Sequence, residues 1–243
     1  MRCVGFDFEI ADGESIVVDT HDQDTGKSDL FTFILGSAFG VIGIQRSLIP
    51  IHGAAVVTGD SSVIISGRPG SGKSAVLGSL IMDGYKYLSD EISMVFTKEE
   101  RPFVIPSYPQ RKIDARTAGE TGESISDATL LFEDGKDKFA VRRASEWYDE
   151  TMPLSCIVEI VPVVRKDGAV FTPEIKKITG HASLRLVMRN QYRSRFVASI
   201  GTPPGSMKRL LEITSTVKTY QLLRPAEGFP INETARIIAE NCF

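Results

Sequence analysis

The run Gly67-Arg68-Pro69-Gly70-Ser71-Gly72-Lys73-Ser74 constrains this chain more than any other segment. A glycine, four residues, then Gly-Lys-Ser is a spacing that lets backbone N–H groups turn inward around an anion. Side chains at the glycines would block that approach. Lys73 supplies positive charge to β and γ phosphate oxygens, and Ser74 offers a hydroxyl to Mg2+. An apolar segment leads into the loop, and Val76, Leu77, Leu80 and Ile81 follow at helical spacing. The pattern therefore predicts a strand, a phosphate loop and a helix whose N-terminus adds its dipole. Chance alone produces the bare pattern in roughly one chain in a hundred of this length, and the strand and helix signals lower that further. The eight residues from Gly67 to Ser74 are the expected nucleotide-binding set, with ATP and Mg2+ as ligands.

The rest of the chain predicts a mixed α/β fold without regular βαβ alternation, hence a mixed sheet. "RCVGFDFEI" and "ESIVVDT" read as strands, and "IPIHGAAVVTGDSSVIISG" as a hairpin turning at Gly59–Asp60. "FTFILGSAFGVIGI" has 14 residues, fewer than the roughly 20 that span a bilayer. It reads as a buried helix with Ser28 or Asp29 as N-cap. Strands are expected at 103–105, 130–132, 139–141 and 156–164, and helices near 184–192, 208–213 and from an Asn232 N-cap. The polar stretch 114–127 reads as a mobile functional loop or a disordered one. One catalytic domain over 1–243 is expected: strands and a helix in 1–50, the core in 51–95, and the remaining sheet and helices in 96–243.

A net charge of −3 from 28 basic and 31 acidic residues argues against a general nucleic-acid binder. Cys3, Cys156 and Cys242 show no metal-ligand spacing. Without a secretory signal they read as reduced thiols in a cytoplasmic protein. No membrane partner is expected.

Two features accompany the loop. Asp90–Glu91 lies only 17 residues beyond Lys73. Adjacent carboxylates can divide two jobs, one holding Mg2+ and the other taking a proton from an incoming hydroxyl. An exposed acidic turn is the plainer alternative. His52 stands on the apolar segment upstream, where a packed core histidine is the commoner outcome. A GTPase would require Asn-Lys-x-Asp, which is absent.

Together, His-Gly, phosphate loop and close acid pair make Ile51 to Val95 resemble the catalytic core of the HPr serine kinase/phosphorylase family, related in fold to phosphoenolpyruvate carboxykinases. Within it, "PSYPQRKI", "DKFAV", "MPLSCIVEI" and "YQLLRP" resemble the small kinases that phosphorylate the C-terminal serine of lasso-peptide precursors. The resemblance implies an ATP- and Mg2+-dependent serine kinase acting on a peptide. Its catalytic residues would be Asp90, Glu91, His52 and Lys73, its metal ligands Ser74, Asp90 and Glu91. It also implies a homo-oligomer as a candidate assembly. The sequence departs from HPr kinases in two ways: no Glu-Ile-Arg-Gly-Leu-Gly segment is found, and Glu91 stands where they place an aspartate. One extra methylene shifts a carboxylate by about 1.5 Å, which leaves Asp90 as an alternative base with Glu91 on the metal. Arg111, Lys112 and Lys138 are candidate cations for an acceptor's carboxylate. The alternatives are an HPr-type or small-molecule kinase of the same fold, or a nucleotide-sensing module that transfers nothing.

Overall fold

The structure is a computed structural model and describes residues 2–3, 6–21, 27–133, 136–164, 171–192 and 201–243. A meander opens the chain: β1 (Arg2–Cys3), β2 (Phe6–Ala11) and β3 (Ser15–Thr20), all antiparallel. Its inward face, Phe6 and Phe8, packs with Ala38, Phe33 and Ile34 of the following helix. That helix runs as α1 (Lys27–Phe33), a π-turn (Ile34–Ala38) and α2 (Phe39–Gln45). It begins at Lys27, so Ser28 and Asp29 lie in its first turn rather than capping it. Their side chains lie outside the described residues. Gly36 and Gly40 face Tyr192: a Cβ on Gly40 would meet the tyrosine ring at 3.0 Å, and one on Gly36 its hydroxyl at 3.2 Å.

The expected hairpin forms as β4 (Ile49–Thr58) and β5 (Ser61–Gly67). From it the chain enters α3 (Lys73–Met82), then β6 (Tyr87–Ser89), β7 (Ile92–Lys98) and β8 (Arg101–Ile105). A small second sheet follows, with β9 (Arg111–Ile113), α4 (Ala115–Thr121), β10 (Thr129–Glu133) and β11 (Lys136–Val141). The remainder comprises β12 (Met152–Val163), β13 (Glu174–Ile178), α5 (His181–Arg189), α6 (Ser206–Thr216), β14 (Lys218–Pro225) and α7 (Ile231–Cys242).

The main sheet has eight strands in the order β13-β14-β12-β5-β4-β7-β8, with β6 pairing β4. It is mixed, as expected: β12 runs parallel to both β5 and β14, and the other pairs are antiparallel. The start of β12 also pairs with β8, Met152 opposite Val104, so the sheet curls back on itself. Both faces are covered, which is why β5 and β12 read as continuous apolar runs. Val63, Ile65, Val158 and Ile160 pack with Val76, Leu77 and Leu80 of α3 and Ala235 and Ile238 of α7. Ile64 and Ile157 point the other way, toward Leu186 and Val187 of α5 and Leu210 and Ile213 of α6.

Two expectations are corrected. The stretch expected to be a mobile or disordered loop contains α4: Asp114 accepts the Thr117 N–H at 2.7 Å and Gly122 (φ 69°) ends the helix. Ala118 packs with Ile113 and Val141 in a small core of its own. Capping and burial thus outweigh the low helix propensity of Thr117, Gly119 and Thr121. At the C-terminus Pro230, not Asn232, occupies the N-cap of α7.

Gly40→Val would drive a branched side chain into Tyr192. The expected cost is about 1–3 kcal/mol, read as a fall in Tm of ~2–4 °C per kcal/mol for a chain of this size. An unchanged melt would show that this packing is slack.

Candidate active site

The phosphate loop leaves the end of β5 beside β12, with Gly67 opposite Ile160. Gly67, Gly70 and Gly72 have φ of 141°, 79° and 95°, where L-residues are strained. A Cβ on Gly67 would also strike the Ile160 carbonyl at 2.6 Å. Gly72 is the N-cap of α3 and no side chain caps the first turn, leaving N–H groups available to an anion. The Lys73 ammonium donates to the carbonyls of Gly67 (2.8 Å) and Arg68 (3.1 Å). Burial pulls its pKa down to about 8, against the opposing pull of Asp90 and Glu91 and with a further push from Lys138. The loop lysine, both carboxylates and Lys138 therefore share one electrostatic neighbourhood.

Asp90 and Glu91 form the turn between β6 and β7. Asp90 is buried, and its Oδ2 accepts the backbone N–H of Lys112 at 2.9 Å. Burial raises its pKa despite that bond and the nearby Arg111 and Lys112 charges. Glu91 is partly exposed; its Oε2 pairs with Lys112 Nζ at 2.8 Å and its Oε1 accepts from the Tyr192 hydroxyl at 3.4 Å. Its backbone is left-handed, φ 74°, a conformation that costs a non-glycine residue about 1–2 kcal/mol. Its carbonyl explains how that is held: Gly53 N–H donates at 3.0 Å and His52 Nδ1 lies at 3.1 Å. A carbonyl only accepts, so His52 carries its proton on Nδ1 in this contact.

His52 is thus placed against the acid pair, and it is tied further. Its N–H donates to the Asn190 carbonyl (2.7 Å), its carbonyl accepts from Ser66 Oγ (2.7 Å), and its ring lies 5.8 Å from that of Tyr192. Of the candidate acceptor cations, Lys112 pairs with Glu91, the charge of Lys138 acts on Lys73, and that of Arg111 acts on Asp90. Arg111 is 2% exposed and its Nη2 is paired with Glu123 (2.5 Å) and Glu146 (3.1 Å). It lies 5.7 Å from the centroid of the Tyr87 ring.

Four residues not singled out from sequence join the site. Tyr108 has its pKa raised by burial, with the charges of Lys112, Glu91 and Asp90 all acting on it. Tyr192 contacts Glu91. Arg224 donates to the Ser71 carbonyl at 3.0 Å. Glu159, on the strand beside the loop and paired in register with Ser66, is buried. Burial would raise its pKa, but bonds from Arg189, Asn190 and Gln221 hold it below the usual range. A carboxylate inside the apolar run Ile157–Val161 was the available signal, because such a charge requires partners.

No known protein-family model matches the chain, and no curated protein matches it. Among solved structures it is similar to the HPr(Ser) kinase/phosphatase from Coxiella burnetii. The identity is 10% over 79% of this chain and 99% of that one, with a TM-score of 0.36. At those values the likeness is a distant one.

Asp90 provides a test with a definite sign. A raised folded pKa means that the folded chain binds this proton more tightly than the unfolded one. Stability therefore falls as pH rises from the ordinary aspartate range through the raised value. Asp90→Asn keeps an acceptor for Lys112 N–H and removes the buried charge. Its Tm at neutral pH should exceed that of the unaltered protein, by ~2–4 °C for each kcal/mol relieved, and the gain should vanish in acid. A lower Tm at neutral pH would contradict the assigned burial cost.

Proposed function

We propose that the chain is an ATP-dependent kinase that transfers the γ-phosphate to a serine hydroxyl of a peptide. The observation that carries this reading is the convergence of a phosphate loop, its lysine and a buried carboxylate whose proton affinity is raised. Phosphoryl transfer demands mainly positioning and charge stabilisation. Gly67 to Ser74 would wrap the triphosphate, and Lys73 would exchange its two loop carbonyls for phosphate oxygens. Asp90 would take the proton of the acceptor hydroxyl, its elevated pKa making it a better base than an ordinary carboxylate. Glu91, fixed by Lys112 and by His52 on its carbonyl, would stand at the mouth where the acceptor enters, between Tyr108 and Tyr192.

The donors that Mg2+ would use are few. Among the described residues no group of three or more His, Cys, Asp or Glu forms a cage, and Mg2+ in such sites takes one or two carboxylates plus substrate phosphates and water. Ser74 with Asp90 or Glu91 would hold it, and it would neutralise charge on the phosphates.

Lys112 would have to exchange Glu91 for a carboxylate at the end of a peptide, and Lys138 is the other candidate cation. A lasso-peptide precursor tail ending in serine is the acceptor to try first. HPr-type protein and free serine are the comparison substrates.

The test is mass spectrometry after incubation with Mg·ATP and that synthetic tail. The expected product carries one phosphate on the terminal serine. Lys73→Ala should abolish it, and Asp90→Asn should slow it by about 10²–10⁴-fold. Transfer surviving in Asp90→Asn but lost in Glu91→Gln would move the base to Glu91. ATP binding with no transfer to any of the three acceptors would replace the kinase by a sensor.

Lys73 adds a pH signature. With its pKa near 8, about half of these lysines are neutral at pH 8, and a polyphosphate would re-protonate them. Calorimetry in two buffers of different ionisation enthalpy should register uptake of about half a proton at that pH. Affinity should weaken as pH climbs past it. Lys73→Ala should show neither effect, and the absence of uptake in the unaltered protein would mean that Lys73 does not meet the phosphates.

A further inference from the structure

Arg224 is a second cation built against the phosphate loop, and the mechanism above does not use it. It stands near the end of β14, in register with Pro162 of β12, and is 5% exposed. Its Nη2 donates to the Ser71 carbonyl at 3.0 Å and its Nη1 to the Pro225 carbonyl at 2.8 Å. Its Nε is fully buried with no hydrogen-bond partner among the described residues. The fork lies so close to the N-cap of α3 that a Cβ on Gly72 would come within 2.9 Å of Nη2.

The charge of this guanidinium is as unusual as its position. Arg111, Arg189 and Arg236 each have a carboxylate in contact. Among the described residues Arg224 has backbone carbonyls only; Glu120 acts on it through charge without contact, and Arg116 opposes that. Burial pulls its pKa down where those of the three paired arginines are raised. A guanidinium does not shed its proton in a protein, so a buried one without an acid is a cost to the unliganded fold. The natural counter-charge is an anion arriving at the first turn of α3.

We propose that Arg224 is a positioning residue for the phosphates of a nucleoside di- or triphosphate, acting through the Ser71–Gly72 peptide and through its uncompensated charge. The inference rests on the nucleotide reading of the loop. Its geometry is that of a planar trans peptide, in which C=O and the following N–H point opposite ways. Anchoring the Ser71 carbonyl on Arg224 therefore turns the Gly72 N–H away from the guanidinium and holds it there, ready for an anion.

The test compares the unaltered protein with Arg224→Met and Arg224→Lys, reading thermal melts and titrations with Mg·ATP, Mg·ADP and inorganic pyrophosphate. Arg224→Met should fold with a ligand-free Tm equal to or above that of the unaltered protein. It should bind all three ligands about 10- to 100-fold more weakly, the scale of a hydrogen bond to a charged group. Arg224→Lys, which keeps the charge but loses the fork, should fall between them. A lowered Tm or failed folding in Arg224→Met, with Arg224→Lys binding as tightly as the unaltered protein, would make the residue structural and overturn the proposal. Weakened nucleotide binding with unchanged pyrophosphate binding would place its action on the sugar or base and overturn it as well. An unaltered protein that responds to no Mg·ATP would sink the nucleotide reading itself, whereas a response that Arg224→Met preserves would sink only the role of Arg224.

Discussion

Lys112 holds both acids of the site with two different atoms: its backbone N–H bonds Asp90 and its ammonium pairs with Glu91. The residue belongs to β9, in the small three-stranded sheet rather than the main one. That sheet has its own core around Ile113, Ala118 and Val141 and is fastened by Arg111 to Glu123 and Glu146. The geometry of the acid pair thus depends on two sheets meeting. Without β9 in place Asp90 would lose its backbone donor, and without the lysine side chain Glu91 would lose its ion partner while its backbone stayed strained.

Several costs in this structure are gathered around one loop. A left-handed Glu91, a carboxyl with raised proton affinity, a lysine with lowered proton affinity and an arginine without an acid surround a single loop. Elsewhere comparable features are resolved locally. Glu99 and Glu100 also have positive φ, but they are exposed residues in the two-residue turn between β7 and β8, where hairpin twist calls for that conformation. Buried Glu159 is satisfied by three donors. Strain and uncompensated charge left standing around a concave anion cradle are what a site for a charged ligand requires.

Much of this was legible in the chain. The hairpin at Gly59–Asp60, the loop and the helix that follows it all follow from local spacing and turn chemistry. What was not legible depended on contacts made far away. Nothing local marks 111–113 as a strand; its pairing with β11 does. Nor does composition reveal α4, whose stability comes from the Asp114 cap and burial against Ile113 and Val141. Arg111 and Lys112 are adjacent cations in sequence, yet alternation along β9 separates them, one toward Glu123 and Glu146 and the other toward Glu91. Tyr192 reaches Glu91 because Gly36 and Gly40, more than 150 residues earlier, leave room for its ring. Such dependence on close approach leaves no periodic trace.

The parallel pairing of β5 with β12 has a consequence for synthesis. Ser62 Oγ bonds the Pro153 carbonyl, 91 residues further on, and the wall opposite Gly67 is Ile160 of the same late strand. The brace on Ser71 comes later still, 153 residues after it in the chain. At about 5–20 residues per second, a ribosome leaves several seconds between emission of the glycines and arrival of the strands that shape them. During that interval β4 and β5 can pair as a local hairpin, but the turn after Gly67 has neither neighbour nor anchor. A nascent chain therefore carries the glycine-rich sequence well before it possesses the shaped loop.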